Sequence, residues 1–133
     1  MSNQQLMPHL MFQNGRAEEA VNFYIELFGG EVLSIQHYDA ETPGMEGKVQ
    51  LASFRLADLK LNIMDSPISH DFDFTASLSL FYGCASEDEL DRLYAALVED
   101  GFAMMPKNDY GFGPFGWVAD RYGVSWQLSV ANG

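Results

Sequence analysis

Apolar residues recur at three- and four-residue spacing in two stretches of the chain. Between about Arg16 and Phe28, Ala17, Ala20, Val21, Tyr24, Leu27 and Phe28 share one side, and Glu18, Glu19, Asn22 and Glu26 the other. This spacing predicts an amphipathic helix, with Asn14 as its N-cap and Gly29-Gly30 as its stop. Between about Glu87 and Asp100, Leu90, Leu93, Tyr94, Leu97 and Val98 make a second stripe. Ser86 and Glu89 have the spacing of a capping box, acids crowd the first turn where the helix dipole favours them, and Gly101 ends the run. Strand-like runs surround both helices. One precedes the first helix, at Leu6–Gln13. Three follow it, at Glu31–Asp39, Lys48–Asp58 and Leu59–Ser66. The pattern then repeats with Thr75–Tyr82 before the second helix and Phe102–Pro106, Phe115–Asp120 and Val124–Val130 after it.

The order strand, helix, three strands therefore occurs twice. The helices align at an offset of 70 positions, which matches Ala20 with Leu90, Phe23 with Leu93, Tyr24 with Tyr94 and Leu27 with Leu97. The pattern predicts an α+β fold built from two βαβββ modules, at about 4–66 and about 74–130. Each half is too small to bury a sheet well by itself, so residues 1–133 are expected to form one domain.

Alternation along the strands separates two faces. Leu10 and Phe12 oppose His9, Met11 and Gln13; Leu78, Leu80 and Tyr82 oppose Ser77, Ser79 and Phe81; Trp126, Leu128 and Val130 oppose Ser125, Gln127 and Ser129. The apolar sets need the cover that two amphipathic helices can supply. The mixed sets either meet solvent, as one face of many antiparallel sheets does, or line a ligand cavity.

Composition narrows the function classes. The chain has 133 residues, of which 47% are hydrophobic and 14% aromatic, enough for a packed core. Seven basic residues against 19 acidic ones leave a net charge of −12, which argues against nucleic acid and anionic membranes as partners. The single cysteine, Cys84, excludes an internal disulfide and makes the cytoplasm the expected compartment. No apolar run is long enough to span a bilayer, and the first residues lack the features of a signal peptide. There is no glycine-rich nucleotide loop and no nucleophile elbow.

Four segments carry a family resemblance: PHLMFQNGRAEEAVNFYIELFGGEV at 8–32, KVQLASFRL at 48–56, LNIMDSP at 61–67 and GFGPFGWVADRYGVSWQLSV at 111–130. With the repeat, they make the chain similar to the vicinal oxygen chelate superfamily of glyoxalase I, bleomycin-resistance proteins and extradiol dioxygenases. Within it the chain resembles the PhnB-like branch, often described by likeness to a 3-demethylubiquinone methyltransferase domain. The resemblance implies two modules forming a cup-shaped mixed sheet with the helices outside, usually in a homodimer. Methyl transfer is not expected, because the glycine-rich loop and doubly wound sheet typical of such enzymes are missing from the pattern.

The resemblance also implies where a metal would be held in metal-dependent members. His9 matches a first-strand ligand, Leu51 a third-strand one, Ser77 (or Ser79 by the repeat offset) a fifth-strand one, and Gln127 a last-strand glutamate. Only His9 is a strong ligand, and a transition ion wants three or four. No metal site and no cofactor are expected. The expected role is binding of a small organic molecule in the cup, with His9, Leu51, Arg55, Ser77, Phe112, Trp117 and Gln127 as ligand-binding residues. Arg55 would fork onto an anion, Gln127 would orient a carbonyl or hydroxyl, and Phe112, Phe115 and Trp117 would stack on a ring. His9 is the best candidate for a catalytic base, although no reaction is implied. The alternative is a metal-dependent lyase, isomerase or dioxygenase of the same superfamily. His37 and His70 are expected to be exposed, and Cys84 to be a buried structural thiol.

Overall fold

The computed structural model describes residues 4–130. They fall into two compact units that meet between Asp71 and Phe72. The first unit contains β1 (His9–Phe12), α1 (Ala17–Phe28), β2 (Gly30–His37), β3 (Val49–Leu56) and β4 (Leu59–Asp65). The second contains β5 (Ser79–Cys84), α2 (Glu87–Val98), β6 (Phe102–Asp109), β7 (Pro114–Ala119) and β8 (Ser125–Val130). The fold is thus α+β, with two βαβββ modules as the pattern predicts.

Each module makes one four-stranded sheet, ordered β1-β4-β3-β2 in the first and β5-β8-β7-β6 in the second. In both, the first strand pairs in parallel with the last, and the remaining pairs are antiparallel. The reason is the helix: it carries the chain across the sheet, so the strand that follows it lands on the far edge. No helix is long and apolar enough to cross a membrane among the described residues.

One face of each sheet is closed by its helix. In the first module Ala17, Ala20, Val21 and Tyr24 of α1 pack into the core that also holds Leu10, Phe12, Ala52, Phe54, Leu61 and Ile63. In the second, Leu90, Leu93 and Leu97 of α2 share a core with Val118, Trp126 and Leu128. Burying the Val, Leu, Ile and Phe side chains among them supplies roughly 1.5–3 kcal/mol each, which is what holds these small sheets against their helices.

Two buried carboxylates tie the modules internally. Asp65, at the end of β4, is 1% exposed. Its Oδ1 accepts from the Ala17 backbone N–H at 3.0 Å and its Oδ2 from Val49 N–H at 2.9 Å, so it joins α1, β3 and β4. The Tyr38 hydroxyl donates to its backbone carbonyl at 2.9 Å. Asp120, just after β7, accepts from Tyr122 N–H, Val124 N–H and the Trp126 indole at 2.8, 3.0 and 2.8 Å. The DRYGVSW segment is therefore a self-satisfied turn joining β7 to β8, with Gly123 in the left-handed region at φ 90°.

Several expectations need correction. The α1 N-terminus is not capped by Asn14. Arg16 stands at the cap position with no side-chain capping bond, Asn14 Oδ1 only receives Arg16 N–H at 3.3 Å, and Asp65 takes the Ala17 N–H. The α2 capping box does form: Ser86 Oγ accepts from Glu89 N–H at 3.1 Å. Its acid, however, reaches one residue further back, to Ala85 N–H at 2.8 Å. The fifth strand starts at Ser79 rather than Thr75 and runs on to Cys84, because only Ser79 to Cys84 find partners in β8. Ser77 lies in the turn before it, exposed, with its hydroxyl 3.0 Å from Thr75 Oγ1.

Candidate ligand-binding faces

The helix-free face of the first sheet follows from register. His9 pairs with Asn62, Asn62 with Ser53, and Ser53 with Ser34, giving a polar row across all four strands. Beside it Lys60, Arg55 and Glu31 make a charged row. Side chains directly opposite on neighbouring strands lie close enough to touch. Ser53 Oγ donates to Asn62 Oδ1 at 2.7 Å. That bond orients the Asn62 amide with its nitrogen away from Ser53. His9 is exposed, and Leu51 on the same face is 42% exposed. Arg55 reaches Glu31 at 3.4 Å and the Ala57 carbonyl, so its charge is half-engaged within the sheet. Val49, which strand alternation would set on this side with Leu51, Ser53 and Arg55, is instead fully buried with its backbone N–H on Asp65.

The helix-free face of the second sheet is uncharged. Phe81, Gln127, Trp117 and Met105 form one row; Gly83, Ser129, Phe115 and Asn108 form the next. Ser79 and Ser125 pair at the end of the face. The polar groups are chained together: Trp117 Nε1 donates to Ser125 Oγ at 2.8 Å, Ser125 and Ser79 hydroxyls are 2.6 Å apart, and Gln127 Nε2 donates to Ser79 Oγ at 3.3 Å. Phe115 is buried under edge-on contacts from Tyr110 and Phe112, at centroid distances of 6.1 and 5.4 Å. Phe112 itself is 53% exposed and Phe81 is 65% exposed.

The candidates thus divide between the modules. His9, Leu51 and Arg55 share the first face; Trp117 and Gln127 share the second; Phe112 stands on the turn at its edge; Ser77 lies off the strand. Ser79 holds the strand position, hydrogen-bonded to both Ser125 and Gln127. Asn62 escaped the sequence reading, although its place between Leu61 and Ile63, both buried, marks it as facing the other way. A shallow depression of about 420 Å³ bounded by Gln5, Leu6, Met7, Asp58, Leu59 and Lys60 includes none of the candidates.

The residues at the positions implied to hold a metal do not fit one. They supply one imidazole, an aliphatic side chain, a hydroxyl already hydrogen-bonded and a carboxamide. Among the described residues no three His, Cys, Asp or Glu side chains come together. Cys84 offers no nucleophile in place of a metal. It closes β5 and is 7% exposed. Burial, helped by the nearby Glu89 charge, pushes its thiol up to about 11, so it is protonated at neutral pH. The same two influences raise the Tyr82 phenol above its ordinary value. His37 is exposed and bound to Glu18 at 2.8 Å, and His70 is exposed with Nε2 3.5 Å from Ser66 Oγ.

Comparison with known proteins agrees with this architecture. Residues 4–129 match the sequence model of the family described as 3-demethylubiquinone-9 3-methyltransferase. A PhnB protein from Bacillus cereus, described as a 3-demethylubiquinone-9 3-methyltransferase by assignment, is 45% identical, with 96% of this chain and 100% of that chain covered and a TM-score of 0.91. A protein from Pseudomonas aeruginosa is 25% identical, with 97% and 98% covered and a TM-score of 0.81. The fold is shared more distantly by the fosfomycin resistance protein FosX of Listeria monocytogenes, crystallised with Mn(II) and dihydroxypropylphosphonic acid. That protein is 14% identical, with 97% and 93% covered and a TM-score of 0.66. No curated protein matches the sequence.

Proposed function

The chain belongs to the PhnB-like family that carries the 3-demethylubiquinone-9 3-methyltransferase description, and from that premise we propose that it binds a small organic molecule without a metal. The observation that carries this reading is the character of the helix-free faces. They hold hydroxyl, amide, imidazole and aromatic groups, the hydroxyls and amides hydrogen-bonded to one another, and among the described residues no cluster of metal ligands. A face of that kind can orient a ligand by a few polar contacts over apolar surface. Sequestration needs no more than this. Methyl transfer gains no support from the chain: β1 runs into Gln13-Asn14-Gly15 rather than a glycine-rich loop, and neither sheet is wholly parallel.

The same reading takes His9, Leu51, Arg55, Gln127, Trp117 and Phe112 as ligand contacts. It moves the Ser77 role to Ser79, whose hydroxyl lies on the strand. It also takes the chain as a single-domain cytoplasmic protein that works as a homodimer.

The test pairs two measurements. Protein incubated with Mn, Ni, Zn or Fe(II) and desalted is analysed for metal by mass spectrometry, with His9→Ala alongside, and a library of small organic compounds is screened by thermal shift. The expected result is no retained ion and some compounds that raise the melting temperature. A ligand present at a hundred times its Kd adds about 2.7 kcal/mol to stability. One ion per chain or per pair of chains, lost in His9→Ala, would overturn the proposal in favour of metal-dependent chemistry.

A further inference from the structure

The hydrogen-bond chain on the second sheet has a direction, and the direction defines what can sit on it. The Trp117 indole can only donate, so Ser125 Oγ accepts from it. Ser125 is 2% exposed, and a buried hydroxyl needs an acceptor for its proton. Its remaining partner is Ser79 Oγ, so Ser125 donates there. Ser79 in turn can place its proton on the Ala76 carbonyl, 3.4 Å away. The Ser79 oxygen then receives Gln127 Nε2 as well. With its nitrogen drawn to Ser79, the Gln127 carboxamide presents its oxygen as an acceptor, and nothing among the described residues donates to it.

That acceptor stands between two aromatic side chains, because Phe81 and Trp117 are its direct neighbours in the row. Phe81 is 65% exposed, a large apolar surface left to water beside an unanswered acceptor. No charged side chain lies in either row of this face. A carboxylate or phosphate would meet a carbonyl dipole of the wrong sign and no cation to offset its desolvation.

We infer that the helix-free face of the second module selects an uncharged aromatic ring bearing an O–H or N–H donor, which hydrogen-bonds to Gln127 Oε1 while the ring rests against Phe81 and Trp117. The inference rests on the small-molecule reading above and adds the ligand's class. Ser79, Ser125 and Trp117 Nε1 act through Gln127: they hold its amide in the acceptor-out orientation.

Three probes of one shape separate the possibilities: 2-naphthol, 2-methoxynaphthalene and 2-naphthoate. Each is titrated into the ¹⁵N-labelled full chain while the Gln127 side-chain amide and Trp117 indole resonances are followed. The expected result is saturable shifts of both with 2-naphthol, about tenfold weaker affinity for the methoxy compound, which lacks the donor, and no response to naphthoate. Gln127→Met should bring naphthol and its methyl ether to equal affinity, whereas Gln127→Glu, which keeps an acceptor, should retain the preference for naphthol. The inference is overturned by equal binding of naphthol and its ether to the unaltered chain, by a preference for naphthoate, or by probes that leave both resonances unmoved. The wider reading is judged separately: compounds that raise the melting temperature without perturbing Gln127 would leave it standing while this inference fails.

Discussion

Asp65 and Asp120 show how far one side chain can reach through a small fold. Each is a buried carboxylate whose oxygens accept from N–H donors, for Asp65 from the distant α1 and β3 and for Asp120 from within its own turn and the start of β8. Removing the acceptor leaves those donors buried and unmet, so Asp65→Ala should lose about 3 kcal/mol in urea unfolding, with Asp65→Asn retaining part of it. A loss below about 1 kcal/mol would mean that water replaces the carboxylate easily. Cys84 gives the pH counterpart. Its folded value, about 11, lies above the ordinary 9.0. The fold therefore favours the neutral thiol, and the unfolded chain sheds the proton first. Stability is intact below about pH 9 and falls as pH rises from there toward 11. Urea midpoints measured across that interval should decline, and the decline should flatten in Cys84→Ala. Iodoacetamide should label the folded thiol slowly at pH 8, since little thiolate is present; rapid labelling would contradict a buried, raised thiol.

At the level of elements, the helices were legible because their apolar spacing is local and long. Both appear within two residues of the expected bounds. Strand ends were less legible, since a strand stops where its partner stops. Ser77 reads as strand by alternation but has no residue of β8 to pair with, and Asn108 reads as loop yet pairs with Phe115. The α1 cap was invisible for a similar reason: its acceptor, Asp65, is 48 residues away from Ala17. For the site, alternation alone placed His9 and Gln127 on helix-free faces, but not the bonds that orient Asn62 and Gln127. The α2 cap was local and readable, and Ser86→Ala should cost about 1 kcal/mol by urea unfolding with the fold unchanged by circular dichroism. Two glycines reveal a shared constraint at the strand that follows each helix. A Cβ on Gly30 would stand 1.8 Å from the Arg55 carbonyl oxygen, and one on Gly101 2.1 Å from that of Ala119. Gly101→Ala should therefore destabilise by well over the roughly 1 kcal/mol of a typical substitution, although its backbone angle is not a left-handed one. A near-neutral result would show that β6 can shift away from β7.

For the molecule as a whole, the excess of acids sets a background that no single contact removes. Five of the seven Lys and Arg residues are engaged in ion pairs, all at least partly exposed, while the net charge stays at −12. Such pairs contribute little each, whereas like-charge repulsion acts across the surface. Raising salt from about 0.01 M to about 0.5 M should therefore raise the urea midpoint, because screening weakens the repulsion more than it weakens the pairs. A fall would place more of the stability in the ion pairs than their exposure suggests. The charge is also unevenly shared between the two helix-free faces: one bears His9, Lys60, Arg55 and Glu31, while the rows of the other have no group that titrates. The two modules thus share one architecture while presenting faces of different charge. A neutral occupant of the second face should be held with the same affinity at pH 5 as at pH 8 and in low as in high salt, because no side chain in its rows carries a charge for protons or ions to act on.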